Sequence, residues 1–121
     1  MKLRILCAFL VIINMACGQN SPGSIPITEV SEALMEGAVL LDVRTPQEFN
    51  AGHLQGAQNI DWLSGEFDTL VKPLKKDDTV YVYCKMGGRS FKAQARLKEL
   101  GFINVINLEG GYDAWKVKKT P

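Results

Sequence analysis

Residues 79–90 read Thr79-Val80-Tyr81-Val82-Tyr83-Cys84-Lys85-Met86-Gly87-Gly88-Arg89-Ser90, and the stretch changes character midway. Its first half, residues 79–84, combines β-branched and aromatic residues and predicts a strand. From Gly88 onward the pattern is helical. Phe91 and Ala95 fall on one side, while Ala93, Leu97 and Leu100 form a neighbouring apolar stripe, and Gly101 stops the run. A strand that turns through a short glycine loop into a helix is half of a β-α-β unit. That unit predicts a parallel sheet. Cys84 then lies where a central strand ends, the edge at which open parallel sheets bind ligands.

The flanking sequence extends the same alternation. Residues 31–37, SEALMEG, predict a short helix capped by Ser31 and stopped by Gly37. Residues 38–43, AVLLDV, form a continuous apolar run, as in a strand covered on both faces. Thr45-Pro46-Gln47-Glu48 then supplies a cap residue, a proline at the first helical position and a glutamate three after the cap. A short strand is expected around residues 58–60. GEFDTLVKPL predicts a helix ending near Pro73, FINVINL a strand, and GGYDAW the start of a last helix. The expectation is one α/β domain over residues 27–118, with a mostly parallel central sheet flanked by helices.

The N-terminal region has a different composition. Lys2 and Arg4 precede the apolar run ILCAFLVII, which is well short of the roughly 20 residues needed to span a bilayer. Residues 1–16 therefore read as a signal peptide. The run MACG resembles the lipobox of bacterial lipoproteins, although Asn14 stands where an aliphatic residue is usual. On that resemblance Cys17 is the lipidated first residue of the mature chain. Ordinary cleavage after Ala16 or Gly18 is the alternative. Residues 17–26, rich in Gly, Ser and Pro, are expected to be a flexible tether. The expected location is the periplasmic side of the cell envelope, with the membrane reached through N-terminal lipid.

Processing would leave roughly 105 residues, enough for one core. It would also remove two of the 14 basic residues, leaving the 13 acidic residues one ahead. That balance excludes a nucleic-acid partner. Of the three cysteines, Cys7 leaves with the signal and Cys17 carries lipid, so Cys84 is expected to be the only mature thiol. An internal disulfide and a Cys-x-x-Cys redox pair are then excluded.

The residues after Cys84 suit an anion. Backbone N–H groups of a loop and helix start converge on negative charge when side chains do not obstruct them. Gly87 and Gly88 supply that freedom, and Arg89 adds a fork of donors. The same field lowers a thiol pKa. Ser90 is placed to cap the helix or to donate to a thiolate. Two readings stay open on these residues: a nucleophile in an anion loop, or a small buried side chain beside a glycine turn. No metal site is expected, because one cysteine and one histidine do not supply the usual four ligands. His53 reads as structural or solvent-facing rather than as a base for Cys84.

The loop CKMGGRS resembles the active-site loop of single-domain rhodaneses, which commonly read Cys-x-x-Gly-x-Arg-Ser. Two further stretches are similar to signatures of that family: LLDVRTPQEFNAGHLQGAQNI, residues 40–60, and NLEGGYDAW, residues 107–115. The resemblance implies a rhodanese-like fold and a sulfurtransferase. Cys84 would form a persulfide, Arg89 would act with it, and Lys85, Met86, Gly87, Gly88 and Ser90 would cradle the substrate. Asp42, of the Asp-Val-Arg motif, would orient the loop arginine. Arg44 is expected to pair with Glu48 in support. Gly110 and Gly111 would let the last loop approach the site, and Trp115 would pack in the core.

Only Lys85, Met86, Gly87 and Gly88 separate Cys84 from Arg89, one residue fewer than in the related Cys-x5-Arg phosphatases. The smaller loop suits a sulfur atom better than a phosphoryl group. The implied partners are a small sulfur donor, such as thiosulfate or a persulfide, and an external thiol, cyanide or protein acceptor. No cofactor is implied. The competing readings are a non-catalytic rhodanese module acting as a protein-binding scaffold, and a thiol redox protein without a resolving cysteine.

Overall fold

A computed structural model describes residues 23–120. The expected signal peptide, Cys17 and the tether up to residue 22 lie outside the described residues. Five strands, β1 (Ser24–Pro26), β2 (Val39–Asp42), β3 (Gln58–Asn59), β4 (Thr79–Tyr83) and β5 (Asn104–Glu109), form one sheet in the order β1-β5-β4-β2-β3. Every neighbouring pair is parallel. Five helices connect or follow them: α1 (Glu32–Met35), α2 (Pro46–Ala51), α3 (Phe67–Leu70), α4 (Gly88–Glu99) and α5 (Gly111–Lys119). The single α/β domain with a parallel sheet expected from the sequence is the architecture found.

The strands alternate between two cores. From β4, Val80, Val82 and then Cys84 enter one core with Ala93 and Leu97 of α4 and Phe67 of α3. Tyr81 and Tyr83 enter the other, against Ile27, Val30, Leu54 and Leu108. Val80 and Val82 are fully buried, and each such side chain contributes roughly 1.5–3 kcal/mol relative to exposure. The two-residue period explains why Cys84 faces α4 rather than the tyrosine side. β4 sits between β2 and β5, so its C-terminal end is central in the sheet.

Two details depart from expectation. The tether ends early, because Ser24–Pro26 is a strand in register with Asn107–Glu109. The Gly23 carbonyl accepts from Asn107 N at 2.7 Å and from the Gln94 amide at 2.6 Å. Local composition disfavours a strand there, and pairing with β5 overrides it. Pro26, which lacks an N–H, is tolerated because β1 is an edge strand. On α4, the buried stripe is Ala93, Gln94 and Leu97, whereas Phe91 and Ala95 are exposed.

Helix α2 begins as predicted. Thr45 Oγ1 accepts from Glu48 N at 3.3 Å, and Glu48 Oε1 accepts from Thr45 N at 3.2 Å. This is a reciprocal capping box.

Candidate active site

Cys84 follows the last residue of β4 and is 2% exposed. Its sulfur receives the Gly87 N–H at 3.0 Å. The thiol lies 3.4 Å from Ser90 Oγ, and the Ser90 hydroxyl donates to the Gly87 carbonyl at 3.1 Å. Gly87 makes this turn possible, since its φ of 129° is unfavourable for other residues. Gly88 is helical and uncrowded, so of these two loop glycines the fold requires only Gly87. Burial pushes the Cys84 thiol up. The Ser90 side chain and the backbone of Ser90, Gly87 and Met86 favour the thiolate and outweigh it, so the net shift is downward.

The start of α5 holds the loop from behind. Tyr112 N donates to the Cys84 carbonyl at 2.8 Å, and Asp113 N to the Lys85 carbonyl at 3.1 Å. A Cβ on Gly111 would stand 2.4 Å from the Lys85 oxygen and 2.6 Å from the Cys84 oxygen. Only glycine admits this approach. Gly111 thus has the close approach expected of it. Trp115 is partly buried in the tyrosine-side core.

The charged residues pair differently from expectation. Asp42 does not orient the loop arginine. Its carboxylate receives Arg44 Nη2 at 2.6 Å and Nε at 3.0 Å, and both residues are buried. Arg44 likewise does not pair with Glu48. Its Nη2 also donates to the Gly52 carbonyl at 2.7 Å, and the guanidinium lies 4.2 Å from the Tyr112 ring centroid. The reason is reach: Asp42 and Arg44 leave the same strand end two residues apart, and Arg44 turns inward beneath Tyr112.

Glu48 instead holds Arg89, with Nη1 to Oε1 at 2.7 Å and Nη2 to Oε2 at 2.9 Å. The Arg89 pairing holds the Glu48 carboxyl down at about 2, and Glu48 in turn raises Arg89. One carboxylate therefore caps α2 and fixes the loop arginine. Its capping position was readable in the sequence, whereas its second bond depends on tertiary placement.

Lys85 carries a second pair, with Nζ 2.6 Å from Asp113 Oδ2, and both side chains are about half exposed. Asp113 had no distinguishing signal in the sequence. Met86 is 72% exposed at the loop surface. His53 is exposed, bonded through Nδ1 to the Phe49 carbonyl at 2.8 Å and stacked on the Phe49 ring. No group of three or more metal-ligating side chains converges among the described residues. The assembled features are one buried thiol with a lowered pKa, the Gly87 N–H on its sulfur, and two nearby residues in the chain, Lys85 and Arg89, each paired with a carboxylate. Such a thiol can attack a sulfur or other soft electrophile and then carry the product as a covalent intermediate.

A profile of the rhodanese-like domain matches residues 26–118. Thiosulfate sulfurtransferase 16, chloroplastic, of Arabidopsis thaliana is 34% identical over 117 residues, covering 88% of this chain and 98% of the plant protein. Thiosulfate sulfurtransferase GlpE of Pseudomonas entomophila (strain L48) is 36% identical over 81 residues, covering 67% of this chain and 72% of that protein. The crystal structure of a rhodanese-related protein from Thermoplasma volcanium superposes with a TM-score of 0.70 at 31% identity, covering 82% of this chain and 95% of that one.

Proposed function

The chain belongs to the rhodanese-like domain family, and on that premise we propose that it transfers sulfane sulfur through a persulfide on Cys84. The Cys84 thiolate attacks the outer sulfur of thiosulfate or of a persulfide. A bond forms between Sγ and that sulfur, and the donor's own sulfur–sulfur bond breaks. Sulfite or a thiolate leaves with the electron pair. A thiol, cyanide or protein acceptor then removes the outer sulfur and regenerates Cys84. Cys84 is the only cysteine among the described residues, so an acceptor thiol has to come from elsewhere.

The observation that carries the proposal is the Gly87 N–H, 3.0 Å from the sulfur. It stabilises negative charge on the attacking thiolate, while Ser90 Oγ, whose own proton goes to the Gly87 carbonyl, receives the thiol in its neutral form. Arg89 is held in place at the helix start by both oxygens of Glu48. Lys85, Met86, Gly87 and Gly88 form the loop around the incoming sulfur. Asp42 and Arg44 act one step away, bracing the strand end and Tyr112.

Export of the chain by residues 1–16 and lipid attachment at Cys17 belong to the same proposal, and the mass of the native N-terminus tests them. The reaction is tested by thiosulfate:cyanide sulfurtransferase assay and by intact-mass detection of a persulfide. The full chain should turn over and load one sulfur at Cys84, and Cys84→Ser should lose both by about a thousandfold or more. A Cys84→Ser protein as active as wild type would overturn the nucleophile.

A further inference from the structure

We infer that Asp113 sets donor specificity, disarming Lys85 so that the site favours carbon-bound persulfides over the thiosulfate dianion. This rests on the sulfur-transfer reading above and deepens it. Each cation between Cys84 and Ser90 already has a carboxylate. Lys85 Nζ is 2.6 Å from Asp113 Oδ2, and Arg89 is held by both oxygens of Glu48. Asp61 adds a further negative charge near Arg89. The side chains therefore present no net positive charge to an incoming donor, and the Cys84 thiolate adds one negative charge.

A donor carrying two negative charges is repelled more strongly by such a site than one carrying a single charge. Backbone N–H groups remain for the reacting sulfur, and these serve either donor alike. The exposed Met86 gives the loop an apolar surface suited to a donor's carbon skeleton. The arrangement is built from both ends of one residue. Asp113 N donates to the Lys85 carbonyl at 3.1 Å while its carboxylate takes the Lys85 ammonium. Lys85 is thus clasped at backbone and side chain.

The step balances without a further reactant. The Cys84 thiolate bonds to the outer sulfur of R–S–SH, the S–S bond to the carbon-bearing sulfur breaks, and RS⁻ departs with the electron pair. Cys84 is left as the hydropersulfide, and RS⁻ takes a proton from water.

The test measures the rate of Cys84 persulfidation by quenched intact mass, using the full chain with thiosulfate or cysteine hydropersulfide. Wild type should load faster from the hydropersulfide, and its rate with thiosulfate should rise with added salt as repulsion is screened. Asp113→Asn should raise the thiosulfate rate about fivefold relative to the hydropersulfide rate. The double variant Lys85→Met, Asp113→Asn should lose that gain.

Faster loading from thiosulfate in wild type, or a thiosulfate rate that falls with salt, would overturn the inference. So would an unchanged donor ratio in folded Asp113→Asn. Those results leave sulfur transfer standing, whereas failure of both donors to load wild-type Cys84 removes that reading and this inference together. The salt dependence needs no variant and decides the matter even if Asp113→Asn fails to fold.

Discussion

Two arginine–carboxylate pairs stand near the candidate site, and they are opposite in kind. Asp42 and Arg44 are 0% and 3% exposed, while Glu48 and Arg89 are 27% and 22% exposed. The first pair is enclosed by Tyr83, Tyr112 and the Gly52 carbonyl. The second is partly exposed and close enough to Cys84 for their charges to interact. Burial assigns them different work. A buried pair can be broken only at high cost, because the survivor is left charged and dry. A partly solvated pair costs little to separate, so its arginine is available to chemistry without endangering the fold.

The sharpest way to break the comparison is to remove one partner from each pair. Arg44→Met should destabilise the domain by about 3–5 kcal/mol, read from the urea midpoint. Asp42→Asn in the same chain should restore part of that loss, since it removes the orphaned charge. Arg89→Met should change stability by no more than about 1 kcal/mol, yet slow persulfide loading of Cys84. Equal destabilisation by the two variants would end the distinction.

Acid sharpens it further, with a smaller effect. Glu48 is held at about 2, below its ordinary 4.5. Its stabilising contribution is therefore complete above about 4.5 and is lost as pH falls toward 2. Glu48→Gln keeps the capping box while removing the charge. The stability gap between wild type and this variant should be constant near neutrality and close as the pH falls through that window. A gap that persists to pH 2 would mean that the capping geometry, not the ion pair, carries it.

The two pairs also mark the boundary of what the sequence could reveal. All four residues were visible as candidates, but each arginine was expected on a different carboxylate. Spacing along the chain suggested Arg44 with Glu48, one helical turn away. The fold brings Arg89 to Glu48 across 41 positions and turns Arg44 back to Asp42. A pairing that depends on the packing of separate elements has no local signature. Asp113 illustrates the same limit more strongly, since GGYDAW says nothing of a lysine held by the β4–α4 loop.

The strand ending at Cys84, the glycine turn and the helix after it were determined by the sequence itself, because period, turn chemistry and capping act over a few residues. Those local terms placed the thiol at the central edge of a parallel sheet and made the family recognisable. The tertiary structure decided which carboxylate holds which cation. It also recruited Ser24–Pro26 into the sheet and set Gly111 against the Cys84 carbonyl. These contacts join residues far apart in sequence, and their energies exist only once the two cores have closed on either side of the sheet.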